Sequence, residues 1–198
     1  KDGKYMAYTV SASLDMSGFP SARLFILDVH ENEFAHYGEE RIFKGEEWMV
    51  PEEAVAEILK EKSDLLDGFG IDPELRGEEH FSVEEGEIAG EIARPRSIDF
   101  RMRDYPYLAQ RYRLELSVRA VDDNDCEQYI EPEKPKIFTL TLLGPSREVR
   151  TVLQEDRLLY ESRRCPLDYA ISRVITYRNG LVVFLNSFTF NIEGPDAR

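Results

Sequence analysis

The stretch TVLQEDRLLYESRRCPLDYAISRVITYRNGLVVFLNSFTFNIEGPD, residues 151–196, decides the fold. Within it, Tyr169–Tyr177 and Leu181–Ile192 are rich in β-branched and aromatic residues and flank the dipeptide Asn179-Gly180. Asn-Gly is the strongest short signal for a β-hairpin, because both residues accept positive φ angles. The stretch therefore predicts two paired antiparallel strands near the end of the chain.

Strand patterns recur in the rest of the chain. Apolar and polar residues alternate from Tyr112 to Ala120, which is typical of a strand with one buried face. Lys4–Val10 and Ala22–Val29 are separated by turn-forming residues and predict a hairpin with a long loop. Shorter strands are predicted at Arg41–Phe43, Ile98–Met102, Phe138–Leu142 and Arg150–Leu153.

One segment has the pattern of an amphipathic helix. Pro51 suits the first helical position, the acidic residues that follow complement the helix dipole, and Gly68 follows the last turn. Val55, Ile58 and Leu59 fall on one face at helical spacing. We therefore predict an α+β fold, mainly antiparallel β-sheet, with one amphipathic helix packed on it by that face.

Composition limits the partners. A chain of 198 residues suits a single domain spanning residues 1–198. Its net charge of −14 repels nucleic acid and anionic lipid, which need clustered Lys and Arg. The longest aliphatic and aromatic run, Leu181–Leu185, is far shorter than the roughly 20 residues of a membrane span. We therefore predict no nucleic-acid partner and no membrane-spanning segment.

An acidic stretch covers residues from about 72 to 93. Eight carboxylates lie between Asp72 and Glu91 against the single basic residue Arg76. Such a charge run favours a solvated loop, with at most a short strand near Glu87–Ile92, over a weak Ca²⁺ site.

The two cysteines, Cys126 and Cys165, have two interpretations. They fit one disulfide in an exported protein, or two buried thiols in a cytosolic one. A third interpretation makes Cys165 a nucleophile activated by Arg163 and Arg164, but no nearby His serves as a base.

Other constellations have weaker support. His30 and His36 flank a predicted turn and would form a metal site only if they faced each other across a hairpin. The segment from Asp122 begins like an EF-hand, but Glu127 replaces the glycine that its turn needs. Tyr105-Pro106-Tyr107 and Tyr112 would serve as an aromatic ligand platform or, more simply, as core and loop packing.

No catalytic motif is present. The chain lacks a nucleophile elbow, a phosphate loop, a dinucleotide fingerprint and a zinc-protease helix. A carboxylate pair for glycoside hydrolysis is defined by spatial separation, so spacing in a chain with 39 acids does not test it. We predict no catalytic, cofactor-binding or metal-ligating residue, and whether the protein is an enzyme stays open.

Six segments of the chain form a recognisable set: Asp2-Gly3-Lys4-Tyr5, Gly18-Phe19-Pro20, Phe25-Ile26-Leu27-Asp28, Leu153-Gln154-Glu155-Asp156-Arg157, Ser162-Arg163-Arg164-Cys165-Pro166-Leu167-Asp168-Tyr169 and Glu193-Gly194-Pro195-Asp196. Together they resemble a family of bacterial predicted secreted proteins, domain of unknown function 2259. Two departures are the acidic stretch and Ile192, where the family pattern has an aromatic residue. The resemblance implies an exported protein with a leader, secreted or periplasmic, and a further apolar strand after Arg198. Export in turn favours a disulfide between Cys126 and Cys165.

The functional prediction is an exported envelope protein that acts as a non-catalytic binding or interaction module. Its partner is an unknown envelope protein or small ligand. Polar residues of the resembling motifs, Arg164, Asp168, Glu193 and Asp196, form a candidate surface site. The alternative is a carboxylate-based hydrolase acting on cell-wall or polysaccharide material. A buried acid pair in a deep cleft would favour the hydrolase, and a shallow aromatic patch would favour binding.

Overall fold

The fold was analysed in a computed structural model. It describes residues 3–13, 19–44, 49–83, 95–104, 108–123, 125–126, 130, 132–159, 165–177, 180–191 and 194–197. The chain divides into two compact units, Lys1–Gly77 with Tyr177–Gly180, and Glu78–Thr176 with Leu181–Arg198. The predicted single domain over residues 1–198 stays a prediction.

The first unit contains an antiparallel sheet in the order β1-β2-β3, with β4 also paired to β2. The predicted N-terminal hairpin is confirmed, because residues 5–13 pair continuously with residues 20–28. The short predicted strand at residue 41 is present as β4, whereas β3 was not predicted. The strands are β1 Tyr5–Ser13, β2 Pro20–Asp28, β3 Glu33–Tyr37 and β4 Arg41–Ile42.

A tight turn joins β2 to β3. Asn32 adopts a φ of 55°, and Asn tolerates this left-handed region better than most residues. The Asp28 carboxylate accepts the backbone N–H groups of His30 at 3.1 Å and Glu31 at 3.2 Å. Desolvation raises the pKa of Asp28, but these two donors and Lys4 outweigh it, so the net shift lowers that pKa. The charged carboxylate is thereby held as part of the turn.

The predicted helix is confirmed at its start and corrected at its end. Helix α1 spans Pro51–Glu61, and α2 spans Ser63–Gly68, so the helix breaks at Lys62 and Gly68 belongs to α2. A continuous helix would place Lys62 one turn after buried Ile58, on the face that packs against the sheet. Burying an unpaired ammonium is costly, and the break leaves Lys62 exposed while Leu66 is buried.

The core of the first unit lies between the helices and the sheet. Ile58 is fully buried, as predicted, whereas Val55 and Leu59 are half-buried and Ala54 is buried instead. The helix entry has half of a capping box, because the Glu53 carboxylate accepts the Val50 N–H at 3.1 Å while Val50 has no side-chain acceptor. The buried core residues are Ala22, Leu24, Ile26, Phe43, Ala54, Ile58 and Leu66.

The second unit is a sandwich of two sheets, in the orders β6-β7-β8-β9 and β12-β11-β10-β5. Its main core contains side chains of both sheets, among them Leu114 from β7, Phe138 from β8 and Ile171 from β10. The strands are β5 Glu78–Ser82, β6 Ser97–Asp104, β7 Leu108–Ala120, β8 Lys136–Leu143, β9 Arg150–Glu155, β10 Pro166–Tyr177, β11 Gly180–Asn191 and β12 Gly194–Ala197.

The α+β fold with mainly antiparallel sheets is therefore confirmed, and the predicted C-terminal hairpin strands are neighbours as β10 and β11. One prediction about the acidic stretch is wrong, since β5 occupies part of it and pairs with β10. Phe81 of this strand packs against the core of the second unit, and the His80 ring lies 5.5 Å from that of Phe100, so the segment has apolar contacts that a solvated loop lacks. The short strand predicted near Glu87–Ile92 lies outside the described residues.

The disulfide is confirmed. Cys126 and Cys165 are bonded, with Cα atoms 5.4 Å apart and positions that differ by 39 in the sequence. Cys126 is 4% exposed, so one end of the bridge is buried. No free thiol remains, which excludes Cys165 as a nucleophile in the oxidised protein.

Candidate functional site

The outer face of the N-terminal sheet carries a row of aromatic side chains. Leu24 and Ile26 of β2 point to the helices, so Phe25 between them lies on the other face. Phe25 has Tyr8 of β1 and Tyr37 of β3 as its direct cross-strand partners. Residues of one cross-strand row share a face, and the three rings therefore lie side by side.

A β-bulge adds a fourth ring to this row. The pairing of β2 and β3 shifts between Ile26 and Leu27, which leaves Ala35 as the extra residue and places Phe34 opposite Leu27. Leu27 shares a face with Phe25, so Phe34 joins Tyr37 although the two are three residues apart. We call Tyr8, Phe25, Phe34 and Tyr37 the aromatic face.

The four rings are in direct contact. Phe25 stacks on Tyr8 with centroids 4.9 Å apart and meets Tyr37 edge to face at 5.0 Å. Phe34 lies 5.3 Å from Tyr37 and perpendicular to it. Burial raises the pKa of the Tyr8 hydroxyl, and the nearby Tyr37 hydroxyl raises it further, so Tyr8 stays neutral at physiological pH.

Exposure is uneven across the aromatic face. Phe25 is 7% exposed and anchors the cluster, whereas Phe34 is 51% and Tyr37 is 62% exposed. Two large exposed rings that are held by buried neighbours form a preorganised apolar surface, because their positions are set before any ligand arrives.

Polar groups border the aromatic face. The Arg23 guanidinium lies 5.8 Å from the Phe25 ring centre and 5.7 Å from that of Tyr37. Arg23 also approaches Glu40 at 3.9 Å, and Glu40 accepts the Ser21 hydroxyl at 2.9 Å. The border therefore offers one hydrogen-bond donor group and one acceptor group whose charges cancel.

A cavity of about 360 Å³ adjoins the aromatic face, and Tyr37 and Glu40 line it. The core residues Leu24 and Ile58 border it but are only 1% and 2% exposed, and Arg41 forms an ion pair with Glu61 at 3.1 Å beside them. The volume lies at the lower end of the range of small-molecule pockets. The aromatic face and this cavity together are the candidate site.

Gly38 positions one wall of the cavity. Its N–H donates to the Leu24 carbonyl at 3.1 Å, and a Cβ at this position would lie 2.2 Å from that oxygen. No side chain fits in this space, so only glycine lets the segment from Tyr37 to Arg41 approach β2 so closely.

The predicted surface site is described only in part. Asp168 lies on β10, is 6% exposed and forms an ion pair with Arg96, so it lies below the surface. Asp196 lies on β12 with its backbone opposite Thr189. Arg164 and Glu193 lie outside the described residues. Whether these four residues form one site stays a prediction.

The aromatic and histidine candidates from the sequence do not form the sites considered for them in the part of the chain that the structure describes. Tyr112 packs against the core of the second unit, 6.0 Å from Phe100, and Tyr105-Pro106-Tyr107 lie outside the described residues. His30 lies in the β2–β3 turn and His36 lies opposite Ile26, so they do not face each other across the hairpin. Within the described ranges, no three His, Cys, Asp or Glu side chains gather as ligands for a metal ion.

The aromatic face was missed in the sequence for a definite reason. Phe34 and Tyr37 are three residues apart, a spacing that fits one face of a helix and not the two-residue period of a strand. Only Phe25 carried a sequence signal. It stands in the continuous apolar run of β2, and such a run indicates a strand that is covered on both of its faces.

The fold and site define a class: a disulfide-bonded α+β protein of antiparallel sheets with an exposed aromatic surface. Disulfides of this kind persist in oxidising compartments. The chain belongs to the family described as Predicted secreted protein (DUF2259), whose model matches residues 7–198. Comparisons with curated proteins and with solved structures find no match. In the part of the chain that the structure describes, no helix is long and apolar enough to cross a membrane.

Proposed function

We propose that the protein is an exported protein of the bacterial envelope, secreted or periplasmic, that acts as a non-catalytic binding module. Its binding surface is the aromatic face with the adjoining cavity. The observation that carries the proposal is the half-exposure of Phe34 and Tyr37 on a cluster anchored by buried Phe25. Ligand sites are lined predominantly by hydrophobic and aromatic side chains, and Tyr is enriched among the residues that supply most of the binding energy at interfaces.

The carboxylates of the site favour binding over hydrolysis. Glycosidases need one acid whose pKa is raised by an apolar environment, beside a second carboxylate. Glu40 and Glu61 are instead 42% and 38% exposed, and each lies beside an arginine. Neither carboxylate therefore lies in the apolar, water-excluded environment in which a glycosidase holds its general acid.

The buried acids of the second unit have structural partners. Asp168 is paired with Arg96, and Asp156 accepts the Gln154 amide at 3.3 Å. Both carboxylates are engaged within the sandwich, where they satisfy neighbouring donors. This engagement supports a structural role for them and makes the hydrolase the weaker candidate.

The test is co-sedimentation of the purified, disulfide-bonded protein with fragments of a bacterial cell envelope. We expect saturable binding that the double variant Phe34→Ala, Tyr37→Ala loses, because both half-exposed rings are removed. Val152→Ala is the matched control, since Val152 is an exposed apolar residue of β9. Equal binding by the double variant, or no saturable binding, contradicts the proposal. Release of soluble reducing ends over hours would favour the hydrolase.

A further inference from the structure

We infer that the ligand of the candidate site is an uncharged oligosaccharide whose sugar rings present flat C–H faces. The inference rests on the proposed function and names the ligand class of the same site. The area of the aromatic face, the charges at its border and the adjoining cavity support it.

The exposed aromatic area is small compared with a whole protein interface. A large aromatic side chain covers about 150–250 Å², so the exposed parts of Phe34 and Tyr37 together offer roughly 200 Å². A specific protein interface needs about 800 Å² on each partner. The two rings would supply only about a quarter of that area, and because Phe34 and Tyr37 are perpendicular, a flat sugar ring stacks on the face of one of them.

The chemistry of the surface is complementary to a sugar. The faces of aromatic rings are electron-rich and attract the weakly positive C–H groups on the flat side of a pyranose whose hydroxyls are equatorial. Those hydroxyls project from the rim of the sugar ring, where they need both donors and acceptors. Arg23 and Glu40 supply both kinds of group beside Tyr37.

The charges at the border give no specific support for an ionic ligand. Arg23 and Glu40 neutralise each other at the border of the site, so neither sign of ligand charge is favoured locally. Arg23 already occupies the cation–π position over Phe25 and Tyr37, where an ammonium ligand would bind. The net charge of −14 repels anionic polymers. An uncharged ligand is opposed by none of these three features.

The cavity extends the site beyond the rings. Its lining includes the exposed carboxylates Glu39 and Glu61, whereas Leu24 and Ile58 border it with only 1% and 2% exposure. A ligand that stacks on Tyr37 reaches the cavity without leaving the surface, because Tyr37 lines both. An oligosaccharide longer than one ring fills this continuous path better than a monosaccharide.

Titration calorimetry with cellohexaose and chitohexaose, which are uncharged and have equatorial hydroxyls, tests the inference. We expect at least one of them to bind wild type, Tyr37→Ala to weaken that binding at least about ten-fold, about 1.4 kcal/mol, and Tyr37→Phe to retain it within about three-fold. Glu40→Gln, which keeps an acceptor oxygen but breaks the charge pair, is expected to weaken it less than Tyr37→Ala does.

Competition separates this inference from the proposed function. The same saccharides at millimolar concentration should release wild type from envelope fragments. Suppose that the fragments capture the protein in a Tyr37-dependent way while neither saccharide gives a heat of binding or releases the protein. That result contradicts the saccharide ligand and still supports the binding module. Absence of any Tyr37-dependent capture overturns both. Unchanged saccharide affinity in Tyr37→Ala, with the disulfide and circular dichroism spectrum intact, overturns the inference alone.

Discussion

At the residue scale, position 38 has no room for a side chain, because a Cβ there would meet the Leu24 carbonyl oxygen at 2.2 Å. Gly38→Ala must push the segment from Tyr37 to Arg41 away from β2. We expect a loss of about 1–3 kcal/mol in the free energy of unfolding, as for overpacked sites, and weaker envelope binding. Gly68→Ala is the control, since a Cβ at Gly68 has no neighbour within 4 Å. Urea unfolding measures both, and equal stability of the two variants would contradict the packing argument.

Asp168 is the residue-scale test of a buried charge. It is 6% exposed and paired with Arg96, whose side chain is 38% exposed. Asp168→Asn keeps the shape and removes the charge, leaving the guanidinium with a weaker partner. Since water reaches Arg96, we expect a loss of only about 1–3 kcal/mol in the free energy of unfolding. Asp99→Asn, in an exposed pair with Arg113 at 3.8 Å, should cost less than about 1 kcal/mol. An equal effect of both changes would show that burial of Asp168 does not matter.

At the scale of elements, helix α1 packs against the sheet of the first unit through Ile58. This residue is 2% exposed and belongs to a core with Leu24 and Ile26. Ile58→Ala removes buried methyl and methylene groups and leaves a cavity under the helix. We expect a loss of about 2–5 kcal/mol in the free energy of unfolding, against about 0.5–1.5 kcal/mol for Ile58→Val. Thermal or urea unfolding gives both values. A change below that of Ile58→Val would show that the helix does not pack on the sheet as described.

At the scale of the whole molecule, the disulfide ties distant segments together. The bridge joins residues separated by 39 positions, for which restriction of the unfolded chain gives about 4 kcal/mol of stability. We expect the double variant Cys126→Ser, Cys165→Ser to lose free energy of unfolding of that order and therefore to unfold at a lower denaturant concentration. Wild type produced in an oxidising compartment should show no titratable thiol in denaturant without reductant. Two thiols per chain there would contradict the bridge.

The overall charge has its own consequence. The chain carries 39 acidic and 25 basic residues other than His, and a net charge of −14 opposes the counterion release that drives DNA binding. We expect no retention of duplex DNA at physiological salt in a gel-shift titration. Salt-sensitive retention at micromolar protein would show that a local basic patch overrides the net charge.

Prediction from sequence succeeded where one face of a strand is buried. The alternation from Tyr112 to Ala120 predicted β7, whose Leu114 and Leu116 are in the core. Prediction failed at β3, where four of the five residues are exposed and no alternation of apolar and polar residues is present. It also failed at β5, because the acidic residues of this short strand have the composition of a solvated loop. The break of the helix at Lys62 was not predicted either. The helical spacing of apolar residues continues through this position, and that spacing carries no information on the cost of burying a lysine.

The sequence by itself determined the fold class, the start of the helix and the partners of the disulfide, because periodicity and capping are local and only two cysteines are present. The candidate site was decided by tertiary structure alone. A bulge at Ala35 turns Phe34 to the side of Tyr37, and strand pairing sets both beside Phe25 and Tyr8. Register between strands depends on how side chains distant in sequence pack, so no local pattern could place these four rings on one face.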